Sequence, residues 1–404
     1  MPAPTLLCLN TGSASLKFAL FKLDDCHGPH LPEAAQLRGE IDSHDGQATL
    51  RWTDAQGQTH RAASSDPRGD IAAEVDTLLD TLITPALCGS SCGPSCGPIA
   101  AVAHRIVHGG TTFTSAQRIT PSVRAALDAL RSLAPLHQGP GLSGVDAATA
   151  RLPDVPQIAC FDTAFHATQT DLARRYAIPR DWHDKGFKRY GFHGLSYDAI
   201  AHQLPPLLGE RAQGAVIVAH LGGGSSLCGL RGLRSVSTTM GFTALDGLVM
   251  STRCGTIDPG LVLHWITEEH LDPQRITAML YHDSGLKGVS GLSGDMRTLE
   301  ASPDARAQEA IALFTASVAH HIGALAADIG GLDALVFTGG IGTHSARVRQ
   351  EVCNALSWLD LRLDPLSNAA GQTCITHGDS PIPAFALPTD EEGVMALQTA
   401  ALLA

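Results

Sequence analysis

Two arginines, Arg105 and Arg253, stand at the ends of apolar segments among glycines and small residues, where a charge is costly unless it meets a ligand. With them go two carboxylate positions, Asp162 and Glu391, the histidines His137, His193 and His220, and Lys17. Phosphoryl transfer needs a cradle for the donor phosphates, a metal, positive groups around the transferred group and an acceptor pocket. Arginine suits that work because its planar fork meets carboxylate or phosphoryl oxygens bidentately. A structural reading stands beside each residue: Arg105 and Arg253 as ion-pair partners, Asp162 as a strand-end cap, His137 and His220 as core histidines, Lys17 as a strand-surface lysine.

The cradle itself is legible in residues 216–229, VIVAHLGGGSSLCG, an apolar run that stops in three glycines and two serines. Bare backbone at Gly222, Gly223 and Gly224, free to take positive φ, with the hydroxyls of Ser225 and Ser226, makes an anion-binding turn. The chain resumes as an apolar segment too soon for a helix, so a strand–loop–strand hairpin is expected, not a Walker loop. NTGSASL at 10–16, between apolar runs at 6–9 and 18–21, matches LGGGSSL at 221–227 in order. Two such hairpins half a chain apart predict an internal duplication, one copy per domain, with a nucleotide held in the cleft between them. ALVFTGGIG at 334–342 reads as a third glycine-rich strand end facing the nucleotide.

A chain of 404 residues, 44% apolar, can bury cores for about two domains. The N-terminus supports neither a signal peptide nor a membrane span, so the cytoplasm is the expected location. A net charge of −12 without a basic run argues against nucleic acid as the main partner. Cys88, Cys92 and Cys96 form the only cysteine cluster, and their glycine, serine and proline neighbours favour a surface insertion over zinc.

Residues 24–70 alternate as an antiparallel extension would, and 71–82 carry a helical apolar period. Segment 99–107 reads as a buried strand delivering Arg105. Thr120-Pro121 starts a helix reaching about Leu133, residues 139–144 form a glycine-rich connector, and 145–151 a short helix. A strand at 157–161 presents Asp162, and a cationic-aromatic loop at 188–193 leads into a helix from about Ser196. A long helix spans 305–329, where His320 and His321 are packing or solvent histidines. A strand at 383–387 then leads, through Glu391, into a terminal helix returning to the first domain. The expected domains are 1–160 with 388–404, and 161–387.

In these motifs the chain resembles the acetate kinase family over nearly its whole length. The resemblance rests on NTGSASLKF (10–18), HRIVHGG (104–110), LAPLH (133–137), FDTAFH (161–166), RYGFHG (189–194), HLGGGSS (220–226), MGFTALDGL (240–248), TRCGTIDPG (252–260), SGDMR (293–297), FTGGIG (337–342) and TDEE (389–392). It implies a two-domain α/β, actin/hexokinase-like (ribonuclease H-like) fold, a duplicated βββαβαβα with an ATP cleft between the domains, paired as a homodimer. The implied reaction is Mg²⁺-dependent (or Mn²⁺-dependent) phosphoryl transfer from ATP to acetate, giving acetyl phosphate and ADP.

The resemblance further implies a metal near Asn10 and Glu391, and Lys17 with Ser13 or Ser15 near the donor phosphates. Arg105 and Arg253 would flank the acyl carboxylate and the phosphoryl group, His193 would stabilise the transition state, and Asp162 would be the essential carboxylate. An acceptor carboxylate with a pKa near ~4 is already ionised at neutral pH. Asp162 therefore has no proton to remove, and holding an arginine or a metal-bound water is its better role. The implied nucleotide contacts are His220, Leu221, Gly222, Gly223, Gly224, Asp295, Met296, Arg297, Gly339, Gly340, Ile341, Gly342 and Thr343. Val107, Leu136, His137, Phe192 and Ala244 would line the acyl pocket.

Three departures bear on specificity. Gly223 stands where the family has asparagine, and Thr343-His344 replace Glu-Asn, which opens the nucleotide preference. Ala244 replaces a proline, which leaves room for propionate unless Met240, Phe242 or Leu245 refill the space. Two rival functions are a sugar or polyol kinase, which needs a polar acceptor pocket and a general base, and an ATP-switched binding module, which needs a partner-binding surface.

Overall fold

The computed structural model describes residues 3–12, 15–44, 47–64, 70–83 and 97–404. Ser13 and the cluster Cys88, Cys92 and Cys96 lie outside the described residues. The chain divides into two compact units, Met1–Phe165 with Gly194–His202 and Asp390–Ala404, and His166–His193 with Gln203–Thr389. The expected division leaves Gly194–His202 in the second domain. In the structure this helical segment joins the first, because Leu195 and Ala199 pack against one face of its sheet.

The first unit is built on an eight-stranded sheet of order β5-β4-β3-β2-β1-β6-β8-β7. Its strands are β1 (Thr5–Thr11), β2 (Ser15–Lys22), β3 (Leu37–His44), β4 (Gln47–Asp54), β5 (Thr59–Ser64), β6 (Ile99–Ile106), β7 (Gln117–Arg118) and β8 (Gln157–Phe161). Every residue of β1 is buried, as expected of a central strand covered on both faces. Its side chains alternate between two cores: Leu7 and Leu9 meet Ile71, Val75 and Leu78, while Leu6 and Cys8 meet Val394, Met395 and Ala400. β3 to β5 are the antiparallel extension expected from the alternating segment.

The second unit carries a five-stranded sheet of order β11-β10-β9-β12-β13. Its strands are β9 (Ala215–Leu221), β10 (Ser225–Arg231), β11 (Arg234–Thr238), β12 (Ala334–Thr338) and β13 (Ala384–Ala386). Ile217 and Ala219 of β9 face Phe314, Val318 and Ile322 of the helix Ala305–Ile329. That helix is long and apolar enough to cross a membrane by length and composition, yet these three residues lie fully buried in the unit's core.

The duplication is visible in the sheets. The order β3-β2-β1-β6-β8 recurs as β11-β10-β9-β12-β13, and in each an antiparallel meander of three strands is followed by two parallel ones. Both glycine-rich segments are hairpins, β1–β2 and β9–β10, as their spacing predicts.

One expectation is corrected. Residues 139–144 are not a connector: the helix Gln138–Arg151 runs unbroken through them. Its glycines face neighbouring elements instead. A Cβ at Gly141 would lie 3.5 Å from the Arg105 carbonyl oxygen, and one at Gly144 would lie 3.4 Å from Thr11 Oγ1 and 3.3 Å from Ile71. The helix thus lies against the ends of β1 and β6, and an added methyl would make ordinary contact at Gly141 and a tight one with Ile71 at Gly144.

Candidate active site

In the first unit β1, β6 and β8 run parallel side by side, so their carboxyl ends meet at one edge of the sheet. There β1 presents Asn10, β6 presents Arg105, and Asp162 follows β8 directly. The terminal helix Glu391–Leu403 adds Glu391 and Glu392 from its first turn. Asp162 is 1% exposed, and its carboxylate takes a bidentate grip from Arg105: Nη2 donates to Oδ2 at 2.7 Å and Nε to Oδ1 at 3.1 Å. Arg105 Nη1 also donates to Asn10 Oδ1 at 3.2 Å and stands 3.9 Å from Glu391 Oε2. Burial opposes the guanidinium charge, but Asp162 and Glu391 outweigh it and hold Arg105 protonated well above its ordinary range.

Asn10 ties this corner together. Its Nδ2 donates to Glu391 Oε2 at 2.8 Å and to Glu392 Oε1 at 2.7 Å. Burial, followed by the neighbouring Glu391, pushes the Glu392 carboxyl above its usual range. Two carboxylates crowded on one amide favour a cation between them. The two carboxylates are oxygen donors, as Mg²⁺ prefers, and Mg²⁺ commonly takes only one or two protein carboxylates beside water and phosphate, while Asn10 turns its amide N–H to them and its oxygen to Arg105. Among the described residues no group of three His, Cys, Asp or Glu side chains could hold a metal by itself. Lys17 is exposed on β2, directly across from Asn10, and the Ser15 carbonyl oxygen accepts from Gly12 N at 2.8 Å to close the first hairpin. Val107 is buried, and Leu136 and His137 are half-buried, in this same unit.

In the second unit the hairpin β9–β10 closes through Ser225, whose Oγ accepts from Gly222 N at 3.1 Å and donates to Gly222 O at 3.0 Å. None of Gly222, Gly223 and Gly224 has a positive φ, so their expected conformational role is corrected. Gly224 is approached by two side chains: a Cβ there would lie 3.4 Å from His193 Nε2 and 3.6 Å from Arg253 Nη2. Positive φ belongs to Gly339, at +75°, where β12 ends. A Cβ there would meet the Leu221 carbonyl oxygen at 2.6 Å, so only glycine lets β12 turn against the end of β9.

Arg253 sits in the glycine-broken stretch after β11. Its Nη1 donates to the Ala244 carbonyl oxygen at 2.9 Å, and no carboxylate among the described residues forms an ion pair with it. Burial pulls its pKa down from the ordinary value. Arg105 is thus neutralised by its own chain and Arg253 is not. A partly buried cation without a counter-charge is an anion site in waiting.

A cavity of about 690 Å³ opens beside the hairpin, bounded by Gly222, Gly223, Met296, Arg297, Gly340 and Ile341, a size suited to a nucleotide. Asp295 also lines it and caps the helix Met296–Glu300 through Thr298 N, while the Arg297 hydrogen bond holds its carboxyl below the usual range. His220, Leu221, Gly224, Gly339, Gly342 and Thr343 lie outside this lining. Gly342 and Thr343 instead offer their carbonyl oxygens to the buried Arg349. The sequence reading missed Ser251, Gly294, Glu300 and Ser345, which also line the cavity. Gly294 falls inside the SGDMR motif, while no quoted motif contains Ser251, Glu300 or Ser345. Phe192 is buried and Ala244 half-buried in this unit.

Comparison with known proteins gives the family. Residues 5–397 match the acetokinase family. The chain is 44% identical over 394 residues to an acetate kinase of Rhodopseudomonas palustris, covering 97% of this chain and 96% of the relative. Among solved structures, a propionate kinase from Francisella tularensis superposes with a TM-score of 0.86 at 32% identity, covering 98% of both chains. Porphyromonas gingivalis acetate kinase superposes at 0.84 and 32% identity over 100% of both. The two-unit architecture is the actin/hexokinase-like α/β fold of these enzymes, and the chain belongs to the acetokinase family.

Proposed function

We propose that this protein is an acetate kinase, transferring the γ-phosphoryl group of ATP reversibly to acetate to give acetyl phosphate and ADP. The observation that carries the reading is the approach of Arg253 and His193 Nε2 to the bare edge of Gly224. Two donors there meet the charge of a phosphoryl group in flight, and catalysis of this kind is mostly positioning and electrostatics.

On the acceptor side, Arg105 is aimed and kept charged by Asp162, so that its remaining face can bind the acyl carboxylate. The acceptor arrives ionised and needs no base. Asp162 accordingly acts through Arg105. Asn10 and Glu391, with Glu392 adjacent, would hold Mg²⁺ or Mn²⁺ directly or through water. When bound, that ion neutralises charge on the donor phosphates. The cavity beside Gly222 and Gly223 would take the nucleotide, with Lys17 and Ser15 serving the donor phosphates.

A hydroxamate assay with ATP, Mg²⁺, acetate and hydroxylamine tests the reading: acyl hydroxamate is expected with acetate, and its absence with acetate, propionate and butyrate alike would refute it. Propionate is the second reading, favoured by Ala244, whose small side chain stands beside the carbonyl that Arg253 holds. One methylene is worth roughly 1–3 kcal/mol in an apolar pocket. The ratio of kcat/KM for the two acids, in wild type and Ala244→Pro, separates the readings.

The enzyme is proposed to work in the cytoplasm as a homodimer, without nucleic acid or membrane as partner. The described cysteines are free thiols, most of them buried, as suits a reducing compartment. The helix Pro259–Thr267 supports pairing, since it is strongly apolar and none of its residues is buried.

A further inference from the structure

The hairpin β9–β10 holds something besides its glycines. His193 precedes the helix Gly194–Leu208 in a left-handed backbone conformation, φ +58°, which is strained for a non-glycine residue and is kept only where the surroundings impose it. Its ring is gripped on two sides. Nδ1 lies 2.8 Å from Ser226 Oγ, and the His220 ring stacks on its face with centroids 4.2 Å apart and planes 22° from parallel. Ser226 and His220 are directly opposite each other in the β10–β9 register, so one cross-strand pair supplies both the edge and the face contact. The other ring edge, Nε2, is the one that approaches Gly224 together with Arg253.

We infer that Ser226 and His220 are positioning residues for His193: Ser226 donates its hydroxyl hydrogen to Nδ1 and so keeps the proton of the neutral ring on Nε2, and His220 fixes the ring plane. This rests on the role given to His193 above. A phosphoryl oxygen offers only lone pairs, so the ring nitrogen facing it must carry hydrogen. In a neutral imidazole the other nitrogen must then accept, and Ser226, fully buried, is the hydroxyl placed to donate. Without it the ring would present a lone pair to the phosphoryl group for part of the time. The turn that bares its glycines to phosphate thus also sets the tautomer of the histidine beside them.

The test compares wild type with His193→Asn, Ser226→Ala and Ser226→Thr in the hydroxamate assay, and reads the ¹⁵N shifts of the labelled full-length wild type. His193→Asn should lower kcat, and Ser226→Ala should lower it about tenfold with KM for ATP and acetate little changed. Ser226→Thr keeps the hydroxyl and should recover most of the loss. The wild-type ring should show a protonated Nε2 and an unprotonated Nδ1, a readout that needs no variant to fold. An unchanged kcat in His193→Asn would remove that residue from the site and this inference with it. A slow His193→Asn beside a fully active Ser226→Ala, or a wild-type ring with its proton on Nδ1, would overturn the inference alone.

Discussion

The two arginines are held in opposite ways, and the difference sets what their loss should do. Arg105 is locked to Asp162 by three hydrogen bonds, so Asp162→Ala leaves a buried cation with only the more distant Glu391 and Glu392 for counter-charge. Removing one partner of such a pair typically costs about 3–5 kcal/mol. The variant should therefore lose thermal stability as well as ~10²–10³ in kcat. Arg253 has no counter-charge within the described residues, and burial already disfavours its charged form. Arg253→Ala should lose a comparable factor in kcat while its melting temperature stays level or rises. Paired thermal melts and turnover numbers check the contrast. A destabilised Arg253→Ala, or an Asp162→Ala of wild-type stability, would contradict the opposite holding of the two charges.

Among the elements, the close pairing of β9 and β12 depends on Gly339. Gly339→Ala places a methyl 2.6 Å from the Leu221 carbonyl oxygen at a φ of +75°, and neither can be relieved by rotating a side chain. The substitution should cost ~2 kcal/mol or more in chemical denaturation and raise KM for ATP, since Gly340 and Ile341 line the cavity. Unchanged denaturation would show that the turn relaxes freely. This strand end and both hairpins were legible in sequence because an apolar run halted by glycines marks a buried strand that must turn tightly. The helix Gln138–Arg151 was not, since glycines inside a packed helix look the same in sequence as glycines placed for a turn. Arg105, Asp162, Asn10 and Glu391 were found through motifs, and the structure brings these four together. Ser251 and Glu300 had no such signal, because only the irregular chain around Arg253 and the short helix Met296–Glu300 carry them to the cavity. The grip of Ser226 on His193 was hidden too, as it depends on which face of β10 the serine occupies.

The whole molecule carries its own consequences for pH and for assembly. His104 in the first unit and His166 in the second are buried and held neutral by desolvation, each with its pKa lowered to about 4 from 6.5. The unfolded chain binds those protons first, so their stabilising contribution is complete above about pH 6.5 and is lost as pH falls toward 4. Denaturation midpoints should fall over that window, and a flat profile would count against these buried neutral rings. For the proposed homodimer the candidate contact is the helix Pro259–Thr267, PGLVLHWIT, which exposes Leu261 at 41%, Leu263 at 61% and Ile266 at 40%. Several large apolar side chains exposed on one short helix mark a candidate interface. In a two-fold dimer one patch meets its own copy, so a single substitution acts twice. Leu263→Glu would then bring two carboxylates into one apolar contact and forfeit roughly 1.5–3 kcal/mol of burial per leucine in addition. Wild type should sediment as a dimer and Leu263→Glu as a monomer with intact secondary structure. A monomeric wild type would refute pairing, and a dimeric Leu263→Glu would place the interface away from this helix.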